Sequence, residues 1–99
     1  MSISAEVNSG ILYIKVIGRF DFGVHNEFRE ASKLAELGIK QIEIDLGNAD
    51  YLDSSALGML LVLRDKMAGD KNAVHIKNAK NEVKKIIEIA NFDKLFTLL

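Results

Sequence analysis

Ile3, Ala5 and Val7 alternate with Ser4, Glu6 and Asn8, and Leu12, Ile14 and Val16 alternate again beyond Asn8-Ser9-Gly10. Side chains two apart share one face of a strand, so each run predicts a half-buried strand. The glycine-containing turn between them predicts an antiparallel hairpin. Ile42, Ile44 and Leu46 alternate with Gln41, Glu43 and Asp45, and Val74 and Ile76 alternate with His75 and Lys77. Between these strands the period changes to that of a helix. Val24, Phe28, Ala31, Leu34 and Ala35 fall on one face, and Gly38 follows where a helix-terminating glycine belongs. A second helix is predicted over about 54–68. In the third, Val83, Ile86, Ile87 and Ala90 form the apolar stripe while Lys84, Lys85 and Glu88 point outward. The apolar tail, 92–99, predicts a short turn and strand.

The order is therefore β-β-α-β-α-β-α plus a tail. Alternation of strand and helix implies parallel pairing with crossover helices. A parallel sheet covered on both faces has strands that are apolar throughout. Here Glu43, Asp45, His75 and Lys77 occupy every second position. The expected fold is thus an α/β fold with a mixed sheet of four to five strands: an N-terminal antiparallel hairpin, then parallel strands, with helices mainly on one face. The third strand is expected to end near Leu46 and to pass into a loop containing Gly47, Asn48 and Asp50.

Length and composition narrow the function. The chain has 99 residues, 48% hydrophobic and 27% charged, which fits one domain spanning 1–99. A net charge of −1 gives no electrostatic footprint for nucleic acid or anionic lipid. There is no cysteine, so disulfides and thiolate metal sites are excluded. The longest apolar run, 56–63, is eight residues, against about twenty for a membrane span. The first residues have no basic start and no apolar stretch, so no secretion signal is expected, and the expected location is the cytoplasm. No phosphate loop, G-x-G-x-x-G or G-x-S-x-G motif occurs, and no cofactor is expected. His25 and His75 lie in different elements without metal-ligand spacing and read as surface residues. A Ser55–histidine nucleophile has no identifiable third group.

The informative segment runs Asp45-Leu46-Gly47-Asn48-Ala49-Asp50-Tyr51-Leu52-Asp53-Ser54-Ser55-Ala56-Leu57-Gly58. Asp53 or Ser54 can cap the helix that follows, because a short side-chain oxygen satisfies its free backbone N–H groups. That helix is apolar almost all round, so Met59, Val62 or Leu63 is expected at the surface beside the polar turn, as a docking patch. A hydroxyl in a first helical turn can accept a phosphoryl group without loss of the helix, because the dipole and the free N–H groups favour the added anion. Asp45, Asp50 and Asp53 cluster in sequence here, and a phosphate adds about −1.5 to −2 charge to such a field.

At these residues the chain resembles the STAS domain, and within it the small anti-sigma factor antagonists of bacteria. Asp45-Leu46 with Tyr51-Leu52-Asp53-Ser54-Ser55-Ala56-Leu57-Gly58 is similar to the family pattern D-L-x(5–6)-D-[ST]-S-G-L-G, and Gly18-Arg19-Phe20-Asp21 is similar to its G-x-L-D. Ala56 departs from the usual glycine. The resemblance implies a non-enzymatic partner-switching protein. Unphosphorylated, it binds an anti-sigma factor or a serine kinase of the histidine-kinase-like ATPase fold and releases a sigma factor. Serine phosphorylation stops the binding, and a metal-dependent serine phosphatase restores it. The implied phosphoacceptor is Ser55, with Ser54 as the alternative. Asp53 matches the motif aspartate, and Asp21 an acidic residue near the phosphoserine. The implied docking surface is the 48–55 segment, with Asn48, Asp50, Tyr51, Asp53 and Ser54, plus Met59 and Val62 of the next helix. The alternative is a constitutive scaffold subunit of a membrane lipid-transport ATPase complex, without covalent control.

Overall fold

The computed structural model describes residues 3–99. Its elements are β1 (Ile3–Asn8), β2 (Ile11–Phe20), α1 (His25–Ser32), β3 (Gln41–Leu52), α2 (Ser54–Lys66), β4 (Val74–Lys77), α3 (Asn81–Ile89) and β5 (Thr97–Leu98). Short 3-10 turns lead into α1, extend it through Glu36, and precede β4 and β5. The sheet order is β1-β2-β3-β4-β5, with β1 and β2 antiparallel and every other pair parallel. This is the expected mixed sheet, with the tail supplying the fifth strand. Ser9 and Gly10 both take positive φ, 54° and 80°, as a two-residue hairpin turn matched to strand twist requires.

One face of the sheet carries the core. Leu12, Ile14 and Val16 of β2, Ile42, Ile44 and Leu46 of β3, and Val74 and Ile76 of β4 are all buried there. Phe28 and Ala31 of α1, Ala56, Leu60 and Leu63 of α2, and Val83 and Ile87 of α3 are buried with them in one continuous cluster. The other face is polar, as the alternation predicts. On it Lys77 pairs with Glu43 at 3.3 Å, and Gln41 Nε2 donates to His75 Nδ1 at 3.1 Å. No helix among the described residues is long and apolar enough to cross a membrane.

One expectation is corrected. β3 does not stop near Leu46 but continues through Gly47, Asn48 and Asp50 to Leu52. It stays in the sheet because β2, ten residues to the twelve of β3, pairs with it to the end, Phe20 opposite Leu52. The register shifts twice: Lys15 faces Asp45 but Ile17 faces Asn48, and Gly18 faces Ala49 but Arg19 faces Tyr51. Each shift accommodates one extra residue in β3, the signature of a bulge. The bulges break the period-two pattern, and cross-strand pairing overrides the local turn preference of Gly47 and Asn48.

Candidate functional site

Because β2 and β3 are parallel, their carboxyl ends fall together, and the segments that leave them meet at one end of the sheet. The Asp53 N–H donates to the Phe20 carbonyl at 3.3 Å, tying the two exits to each other. An aspartate follows each strand and caps the element beyond it. Asp21 Oδ1 accepts from the Gly23 N–H at 2.9 Å, and Asp53 Oδ1 accepts from the Ala56 N–H at 2.9 Å. Between them Arg19 Nε donates to Asp21 Oδ2 at 3.2 Å, and its guanidinium carbon lies 4.2 Å from the centre of the Tyr51 ring. Arg19 and Tyr51 are cross-strand partners, so sheet register alone brings the cation over the ring. The pair is exposed and shapes the surface more than it stabilises the fold.

The cap is Asp53, not Ser54. Ser54 and Ser55 are therefore the first two helical residues. The Asp53 carboxylate satisfies the Ala56 N–H, and Leu57 makes the first intrahelical bond to the Asp53 carbonyl at 3.2 Å. The Ser54 and Ser55 N–H groups precede that bond and point out of the helix end. Ser54 is exposed and Ser55 half-buried. Among the described residues, neither hydroxyl enters a side-chain hydrogen bond.

Ser55 begins a stripe that continues through Met59, Val62 and Lys66 at helical spacing. Opposite it, α1 presents His25, Phe28 and Arg29, and the two helices enclose an apolar groove of about 280 Å³. Of the three apolar residues expected at the surface, Val62 is 56% exposed and Met59 half-buried, but Leu63 is fully buried. Leu63 shares the inward face with Ala56 and Leu60, one helical turn apart from each other in phase, which turns Val62 outward. At the end of the groove nearest Asp21, the Phe22 ring is 61% exposed and stacks on His25, centroids 4.0 Å apart. His25 Nδ1 lies 2.9 Å from the Phe22 carbonyl, which holds the pair in place. Arg19 and Phe22 lie within two residues of Asp21, and an apolar aromatic in a predicted turn is the signal that could have found Phe22.

The remaining candidates lie on the other flank of β3. Asn48 lines a shallow depression with Asp45, Asn78 and Lys80, and Asp50 lines another with Lys80, Asn81 and Val83 at the start of α3. Asp45 does not join a carboxylate cluster with Asp53. It points to the polar face of the sheet, where it accepts from the Gly47 N–H at 2.8 Å and from Asn78 Nδ2 at 3.2 Å. Burial opposes its ionisation, yet the Gly47 and Asn78 hydrogen bonds and the nearby Lys15 and Lys77 outweigh it and hold its carboxyl below the usual value.

The sequence matches the model of the STAS domain over residues 2–99. The chain belongs to the STAS domain family. This STAS domain is 47% identical over 87 residues to a STAS-domain containing protein of Pseudomonas aeruginosa (strain UCBPP-PA14), an alignment covering 88% of this chain and 86% of that one. Among solved structures it is similar to an anti-sigma factor antagonist from Mycobacterium paratuberculosis, with TM-score 0.84 and 21% identity over 97% of this chain and 82% of the other. It is also similar to the phosphorylated form of the Bacillus cell fate determinant SpoIIAA, with TM-score 0.73 and 15% identity over 98% and 90% of the two chains. At these identities the structural likenesses establish a shared fold: a STAS α/β domain with its paired strand exits at the start of α2.

Proposed function

We propose that this STAS domain is a phospho-switched anti-sigma factor antagonist. Unphosphorylated, it docks on an anti-sigma factor or a serine kinase of the histidine-kinase-like ATPase fold and thereby releases a sigma factor. Phosphorylation of Ser55 stops the docking, and a metal-dependent serine phosphatase reverses it. The observation that carries the reading is the position of the Ser55 hydroxyl. It sits in the first turn of α2, heads the same stripe as Met59 and Val62, and adjoins a carboxylate already occupied as the helix cap.

Energetics supports control without refolding. A phosphate at a helix N-terminus is favourable by about 0.3–1 kcal/mol, so α2 keeps its structure. At an interface the same group opposes docking by repulsion and desolvation. A hundredfold loss of affinity requires about 2.7 kcal/mol, and losing one buried charge contact typically costs about 2–5 kcal/mol. The surface that docks comprises Asp21, Tyr51, Asp53, Ser54 and Ser55 at the strand exits with Met59 and Val62 beside them, and Asn48 and Asp50 extend it toward α3.

The test is to isolate the chain with its partner from native cells and incubate the pair with ATP. Binding is then compared before and after, with the phosphate mapped by peptide mass spectrometry. The expected result is a single phosphate on Ser55 and at least a hundredfold weaker binding. Ser55→Asp should reproduce the loss without a change in Tm, while Ser55→Ala binds but is not modified. A phosphate confined to another residue overturns the site. Isolation with a membrane ATPase in place of a soluble kinase overturns the switch in favour of a scaffold.

A further inference from the structure

The groove between α1 and α2 has a charge pattern of its own, and from it we infer the chemistry of what binds there: an acidic, amphipathic helix of the partner. Its aliphatic side chains lie over Phe28, Met59 and Val62, and one of its carboxylates meets Arg29. The inference deepens the docking reading above and rests on it for its regulation by Ser55.

The floor of the groove is apolar and its walls are cationic. Arg29 and Lys66 line it, and no carboxylate does. Lys66 is held at 2.8 Å by Glu36, and the lysine keeps the Glu36 carboxyl below its usual value. Arg29 is different. Its Nη2 donates to the neutral Asn26 Oδ1 at 2.8 Å, and no carboxylate among the described residues forms an ion pair with it. A guanidinium with unused donors at the lip of an apolar groove is the complement of a carboxylate beside an apolar stripe.

The shape selects a helix. Both walls are helices, and the stripe from Ser55 to Lys66 rises about 16 Å at 1.5 Å per residue. That is about three turns of an incoming helix, whose anchors recur at i, i+4 and i+7. The strand edges of the sheet lie elsewhere, at β1 and β5, so an added strand finds no backbone partners here. A second copy of the chain is disfavoured by charge. Two-fold pairing through this face sets the same cations against each other.

The regulation follows from the stripe. Ser55 stands about 6 Å along the helix axis from Met59, inside the screening length of about 8–10 Å at physiological salt. A phosphate there confronts the carboxylates of an acidic helix lying in the groove.

The test uses the full chain, labelled with nitrogen-15, and two synthetic helical peptides. One has leucines spaced three and four residues apart flanked by glutamates, and its twin has lysines in place of the glutamates. The glutamate peptide should bind at least tenfold more tightly than its twin at low salt, shifting the amides of Arg29, Met59 and Val62. Arg29→Glu, at an exposed position, should invert the preference, and Ser55→Asp should weaken the glutamate peptide at least tenfold. Equal binding of the twins, shifts on another face, or an Arg29→Glu protein with unchanged preference each overturns the inference. The two readings separate cleanly. Loss of the charge preference, with Ser55→Asp still blocking the native partner, overturns the acidic helix and spares the switch. A Ser55 never phosphorylated, with peptides behaving as expected, does the reverse.

Discussion

Replacing Asp53 separates its role as a helix cap from any role at the docking surface. Its carboxylate accepts from the Ala56 N–H at 2.9 Å and is the side-chain cap of α2. Asp53→Ala removes that acceptor, and losing such a cap costs about 1 kcal/mol within a range of about 0.5–2. For a chain of 99 residues, the unfolding entropy near the midpoint is about 0.2 kcal/mol/K, so Tm should fall by about 5 °C. Asp53→Asn keeps an oxygen in the same place and loses only the charge near the helix dipole, about 0.3 kcal/mol once salt screens it, or about 1.5 °C. Asparagine caps nearly as well as aspartate. Thermal unfolding followed by circular dichroism should therefore rank the proteins wild type, Asn and Ala, with Asn within about 2 °C of wild type. Urea midpoints should give the same order at unchanged slope. An alanine variant that melts with wild type, or an asparagine variant as unstable as alanine, refutes the assignment of the cap.

The Asp45 carboxyl is held below its usual value in the folded protein. Its stabilisation is therefore complete above the ordinary aspartate pKa of about 3.9 and disappears as pH falls through the folded value. The urea midpoints of wild type and Asp45→Asn should differ at neutral pH and converge on acidification; a gap independent of pH refutes this. Phe22 is 61% exposed and touches the fold through its stack on His25. Phe22→Ala should leave stability within about 0.5 kcal/mol yet weaken partner binding at least about tenfold, as an aromatic anchor does. Titration calorimetry beside a melting curve checks both, and unchanged affinity refutes a contact between the partner and Phe22.

Most of the architecture was legible because burial imposes periodicity. Ile42, Ile44 and Leu46 had to alternate to meet a core on one side only, and Val83, Ile86, Ile87 and Ala90 had to follow a helical stripe. The second half of β3 was hidden for the same reason. Two bulges destroy the alternation between Leu46 and Leu52, and the decisive information lies in β2, a distant stretch of chain. The helix of the site showed the limit of pattern reading differently. With Leu57, Met59, Leu60, Leu61, Val62 and Leu63 all apolar, periodicity assigns no phase, and only packing against the sheet turned Leu63 inward and Val62 outward. Asp45 and Asp53 lie close in sequence but belong to opposite sides of the molecule, because a strand residue facing the polar sheet surface cannot reach a helix on the other face. Arg19 and Tyr51 show the converse, far apart in the chain and in contact through register.

That contact has a consequence for the life of the polypeptide. The surface around Ser55 draws on residues that follow β2 and residues that follow β3, and the parallel pairing that joins these strands needs the whole α1 crossover first. Long-range pairing of this kind forms late and slowly compared with local structure. A ribosome-bound chain that has emerged only as far as Asp21 carries no recognisable version of this surface. Nor does a misfolded or partly degraded copy in which β3 has come away. Whatever reads this end of the sheet is thereby reading a certificate of completion, and immature molecules are kept out of its traffic.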